Sequence, residues 1–211
     1  MSQQRIRSGT IDELRAHTGD WLFIDIGFAR GKKTCGYLLV RAGGELAGTE
    51  HPAKAVTYGS LTREVVLLVQ KEGPPLHFVI EAPLSVAFGA DGNPLGRTAE
   101  KRDNQTRYWY VGLGCSVLVA SLYLMQAVIE AKPAREVRMF EGLVSFRDRF
   151  EKSDHAADVE ALKQVVWSGG NGHGMFREPA AVDCQGGSHI ASTMALLDLD
   201  STPPPIVEVT G

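Results

Sequence analysis

The segment Trp21-Leu22-Phe23-Ile24-Asp25-Ile26-Gly27-Phe28-Ala29 places one carboxylate inside a run of apolar and aromatic residues. Such a run, closed by glycine, predicts a strand from Trp21 to Ile26 buried on both faces. An ionised aspartate is costly to bury without a partner. What faces Asp25 therefore bears on the arrangement of the sheet and on its chemistry.

Upstream, Thr10-Ile11-Asp12-Glu13 has the T-x-x-E form of a capping box and predicts a short helix to about His17. Downstream, a turn holding Gly27, Gly31, Lys32 and Lys33 leads to a second strand, Thr34 to Val40, which so tight a connection pairs antiparallel with the first. Glu45 to Thr49 is a candidate third strand. Leu61, Val65, Leu68 and Val69 recur at helical spacing, and Leu76 to Glu81 re-enters the sheet. A polar, glycine-rich loop from Ala87 to Arg107 precedes a long apolar helix. Arg135 to Phe146 predicts a fifth strand with a bulge at Gly142. Ser153 is the expected N-cap of a helix over Asp154 to Trp167, stopped by Ser168-Gly169-Gly170. The residues after Gly170, with their Pro203-Pro204-Pro205 run, give no clear assignment. Hairpins first and βαβ units later predict an α/β fold with a mixed five-stranded sheet and helices on both faces.

A chain of 211 residues has room for one well-buried domain, with residues 1–20 as a helical extension and 169–211 as a C-terminal one. The 22 Lys and Arg against 25 Asp and Glu exclude a global basic field, so any nucleic-acid contact needs a local patch. Cys35, Cys115 and Cys184 lack paired spacing, and the N-terminus has no apolar signal core, which together predict a reducing cytoplasm. Tyr108 to Ile129 carries no charge and would reach across a bilayer, but Gly112, Gly114, Ser116, Ser121 and Gln126 dilute it. It is read as a core helix, with no membrane partner; Tyr108, Trp109 and Tyr110 anchor it in the core, base stacking being their second reading.

Three acids stand out. Glu81, like Asp25, closes an apolar run just before a loop, where open α/β sheets gather ligand-binding groups. Asp158 precedes Leu162, Val165 and Val166 at spacings that put it on the core-facing stripe of its helix, with His155 and Asp154 pointing the same way. Acids facing one core repel unless something positive lies between them. Mg²⁺ or Mn²⁺, which take carboxylate oxygens, would resolve that conflict. Other readings stay open: backbone hydrogen bonds to Asp25 at the turn, an ion pair of Glu81 with Arg102 or Arg107, and a helix N-terminal charge at Asp154.

The order of elements, the Asp in IDIGFARGKKTCGYLLV, the Glu in FVIEAPLS and the acids in SDHAADVEAL resemble the ribonuclease H-like superfamily. The nearest likenesses are RuvC-type Holliday-junction resolvases and an uncharacterised group of predicted RNase H-like nucleases, over about Trp21 to Val166. The resemblance implies a single RNase H-like domain that hydrolyses phosphodiester bonds of DNA or RNA by a two-metal mechanism. It implies Asp25 as the ligand bridging two ions, Glu81 binding one, and Asp158 the other, with His155 or Asp154 completing the shell. Glu141 is read as structural. Lys32, Lys33, Arg97, Lys101, Arg102 and Arg107 are the candidate phosphate contacts, and a homodimer is the assembly such resolvases use. Two other classes compete: a non-catalytic binding or scaffold module on the same fold, and a nucleotide-binding fragment of actin-like kind. His173, Cys184 and His189 match no standard zinc spacing.

Overall fold

A computed structural model describes residues 5–27, 31–43, 52–102, 105–144, 154–182 and 187–210. In chain order, the first elements are strand β1 (Ile6–Ser8), helix α1 (Ile11–Ala16), β2 (Asp20–Asp25), β3 (Cys35–Val40), β4 (Lys54–Val56) and α2 (Tyr58–Val69). Next come β5 (Leu76–Glu81), β6 (Ser85–Gly89), β7 (Pro94–Leu95), β8 (Lys101–Arg102), β9 (Gln105–Thr106), α3 (Leu113–Glu130) and β10 (Val137–Leu143). The last are α4 (His155–Trp167), β11 (Gly174–Arg177), β12 (Ser188–Ser192) and β13 (Ile206–Val209), with single 3₁₀ turns at Thr98–Glu100 and Thr193–Leu197.

The fold is α/β, built on a mixed sheet in the order β11-β13-β10-β5-β2-β3-β4. β2, β5, β10 and β13 run parallel, while β3, β4 and β11 are antiparallel to their neighbours. β1 pairs Ile6 with Val137, on the edge of β10 whose other half pairs Glu141 with Ile206 of β13. Among the described residues the sheet thus has eight strands where five were expected. The added ones come from the two ends of the chain, where short strands such as IRS and IVEV carry too few residues to show a period.

Two layers of helix cover the sheet. On one face Leu22, Ile24, Phe78, Ile80 and Met139 pack against Leu61 and Val65 of α2 and Ala120, Leu124 and Val128 of α3. On the other, Trp21, Phe23, Leu38, Val79, Phe140 and Val207 meet Val159, Leu162, Val165 and Val166 of α4. β2 is buried at all six positions, as its unbroken apolar run requires.

Several expectations change at this level. The Glu45–Thr49 strand and the Ser153 cap lie outside the described residues. The next described strand after β3 is Lys54–Val56, and Asp154 caps α4, its side chain accepting from Ala156 N. Pairing runs through Gly142 on both sides, to Glu81 and to Val207, so its role is not a bulge. In the stretch expected as a loop from Ala87 to Arg107, the end of β6 and β7 join β12 in a small sheet, and β8 and β9 form a hairpin. The capping box at Thr10 and Glu13 forms as predicted. α3 is the one described helix long and apolar enough to cross a membrane, at 18 residues and mean hydropathy 1.7. Ala120, Ser121, Leu124, Met125 and Val128 are nevertheless buried on its sheet-facing side.

Candidate metal centre

Asp25 ends β2 at the carboxyl edge of the parallel strands, and its sheet register defines a row. Gly36 of β3 lies on one side and Glu81 of β5 on the other, followed by Gly142 of β10. Residues paired across neighbouring strands share a face, so all four face α4. Two of the four are glycines, and both are crowded by that helix. A Cβ on Gly36 would lie 2.0 Å from the His155 carbonyl oxygen, and one on Gly142 would lie 3.0 Å from Leu162 Cδ1. The missing side chains let the first turn of α4 descend onto the sheet beside Asp25.

That descent delivers the ligands. Asp25, His155 and Asp158 each offer one donor atom, and the three atoms lie within 4.8 Å of one another. His155 Nδ1 and Asp25 Oδ2 are hydrogen-bonded at 2.5 Å. Asp25 and Asp158 are buried, while the His155 side chain keeps 26% of its exposure. The site is thus roofed by the helix and open on the imidazole side. The i and i+3 spacing of His155 and Asp158, on a helix whose apolar stripe is fixed by Leu162 and Val166, aims both at the sheet.

The cluster does not take in every expected ligand. Glu81 stands beside Asp25 in the register but is not a member of the three-atom group. Asp154 is exposed and serves as the helix cap, and it is not in the three-atom group, whereas His155 is. Beneath the turn, Cys35 Sγ donates to the Gly27 carbonyl oxygen at 3.3 Å, and burial, aided by the Asp25 charge, raises its thiol pKa. Cys35 is not a member of the three-atom group.

Glu141 is structural, as expected, and the structure shows why. Its Oε2 accepts from Leu84 N at 2.9 Å and from Arg97 Nη1 at 2.6 Å. Arg97 also donates to Ser85 Oγ at 2.8 Å and to Glu100 Oε1 at 3.0 Å. Arg97 is 1% exposed and ion-paired to two carboxylates, so it cannot serve as a phosphate contact. Burial outweighs Arg97 at Glu100 and raises that carboxyl's pKa. Sequence position alone made Arg97 look like a loop cation; only the fold sets it against Ser85 of β6 and Glu141 of β10. Lys32, Lys33, Lys101 and Arg107 are exposed, and Arg102 is half-buried.

Two carboxylates and an imidazole suit a divalent cation. The oxygens satisfy the hard-ion preference, and the imidazole favours a transition ion such as Mn²⁺ over Mg²⁺, which takes oxygen ligands. Comparison with protein-family models, with characterised proteins and with solved structures finds no match. What the site does is therefore argued from its geometry.

Proposed function

We propose that the protein is a divalent-metal-dependent nuclease of ribonuclease H-like kind. The observation that carries this reading is the convergence of Asp25, His155 and Asp158 within 4.8 Å at the carboxyl edge of the sheet. Support comes also from where the groups originate: the aspartate on an interior strand, an acid ending the adjoining parallel strand, and His-x-x-Asp on the late helix. Those are the elements the resemblance requires.

Asp25, His155 and Asp158 would hold one ion, and Asp25 with Glu81 a second. Such ions supply activation of a water molecule and charge stabilisation at the phosphodiester. The protein's own part is positional. Asp25 is fixed by the strand ladder on both sides, and His155 is held against it through Nδ1. The first turn of α4 brings its positive dipole end toward the carboxylates and reduces their repulsion.

Purified protein should bind Mn²⁺, seen as broadening of the free-ion electron paramagnetic resonance signal, and should cleave DNA or RNA in its presence. Asp25→Asn should lose both while keeping the circular dichroism spectrum. Cleavage that survives Asp25→Asn would sink the assignment. Mn²⁺ binding without cleavage of single-stranded, duplex or branched substrates would leave a binding module with an intact metal site.

A further inference from the structure

Five aromatic rings form a continuous array outside both hydrophobic cores. Phe88 of β6 stacks on His189 of β12, with centroids 5.4 Å apart and planes at 23°, and meets the Trp109 ring edge-on at 5.6 Å. Trp109 in turn meets Tyr110 at 5.3 Å, and Tyr110 stacks on Tyr108 at 5.3 Å and 11°. Contrary to the expectation that Tyr108 to Tyr110 anchor α3 in the core, these rings are tied to the small sheet. Trp109 Nε1 donates to the Leu95 carbonyl oxygen at 2.9 Å, and the Tyr108 ring covers Gly96, where a Cβ would meet it at 2.2 Å. His189 is exposed and the other four rings are half-buried.

Half-covered aromatic rings held in fixed orientation cost little entropy to engage and offer π faces to a flat partner. The charges nearby favour an anionic one. Arg107 directly precedes Tyr108, and Lys101 pairs across the β8–β9 hairpin with Thr106. Both cations are exposed, and among the described residues neither forms an ion pair. A short stretch of chain also joins the array to the strand that ends beside Asp25. β6 follows β5 directly, and the seven residues from Glu81 to Phe88 can span at most about 25 Å.

We propose that this face binds single-stranded nucleic acid, with bases stacked on the aromatic array and phosphates held by Lys101 and Arg107. The inference rests on the nuclease reading for its purpose, since it gives the metal centre a strand to act on, but it needs no metal. Stacking on π faces tolerates any base, so the expected binding is sequence-independent.

The test is fluorescence anisotropy of a labelled oligothymidylate titrated with the protein in EDTA. Tyr110→Ala and His189→Ala should each weaken binding about 5- to 100-fold, with Tyr110→Phe close to the parent protein. A duplex of the same length should bind more weakly than the single strand. Equal affinity for duplex and single strand, or unchanged binding by both alanine variants, would overturn the proposal. A protein that binds the oligonucleotide through these rings yet cleaves nothing with Mn²⁺ keeps the platform and removes the nuclease reading. One that cleaves duplex without binding the single strand does the reverse.

Discussion

Asp25 and His77 are two titratable side chains of the same sheet face with opposite fates. Asp25 sits at the strand end, where helix α4 supplies an imidazole; His77 lies in the interior at 0% exposure, stacked on Trp21 with centroids 4.2 Å apart. Burial pushes the His77 pKa down to about 4, and the charge of Arg138 adds to this against the Asp20 carbonyl, which favours the proton. The unfolded chain protonates this residue near pH 6.5, so between about pH 6.5 and 4 the unfolded state binds more protons than the native one. Stability therefore falls as the pH drops through that window, by about 3 kcal/mol once it is fully traversed. Urea denaturation at pH 7.0, 5.5 and 4.5 should reveal the decline, and His77→Phe should flatten it. An equal slope in the variant would assign the loss to other groups. Asp20, whose carboxyl is held below its ordinary value in the fold, adds stability that is lost as the pH falls further. Burial opposes the Asp20 carboxylate, but the Ala42 amide, Arg135 and Arg41 outweigh it and hold its pKa below the usual value.

At the scale of elements, the glycines of the Asp25 row decide how close α4 can come. Gly36→Ala puts a methyl group within 2.0 Å of a backbone oxygen, which cannot rotate away, so the helix must lift. Overpacking of this kind costs about 1–3 kcal/mol, and lifting His155 and Asp158 from Asp25 should weaken Mn²⁺ binding at least tenfold. Gly142→Ala meets the far end of the Leu162 side chain at 3.0 Å and should cost less, with Mn²⁺ affinity within about threefold of the parent. Calorimetric titration of both variants separates a local fit from a general loss of stability, and equal effects on affinity would refute the account. The same row marks what was legible in the sequence. Asp25, His155 and Asp158 could be chosen because strand and helix periods give the facing of a residue without coordinates. The distance between β2 and α4 depends on Gly36, whose importance appears only when β3 is paired in register. Arg97 misled for the mirror reason: its local sequence is polar, and its burial is produced by Glu141 and by strands remote in the chain.

For the whole molecule, the net charge of −3 means that a nucleic acid is repelled by the average surface and held only where cations cluster. Lys32 and Lys33 sit in the turn after Asp25, and Lys101 and Arg107 flank the aromatic array. All four are exposed, and among the described residues none is neutralised by an ion pair. Lys32 and Lys33 follow the carboxyl end of β2, which carries Asp25, while Lys101 and Arg107 lie on the chain that runs through the β8–β9 hairpin into the aromatic array. A strand that reaches from the proposed Lys101 and Arg107 contacts to Lys32 and Lys33 would make four phosphate contacts, with a slope of log K against log salt of about −3. Stacking on rings adds affinity without adding to that slope. Oligonucleotide binding measured from 50 to 300 mM KCl should therefore weaken about 150-fold, leaving residual affinity at high salt that disappears in Tyr110→Ala. Lys101→Ala should make the slope shallower by about 0.7, the share of one phosphate. A slope steeper than about −5 would mean that the strand follows a longer cationic path than these four residues provide.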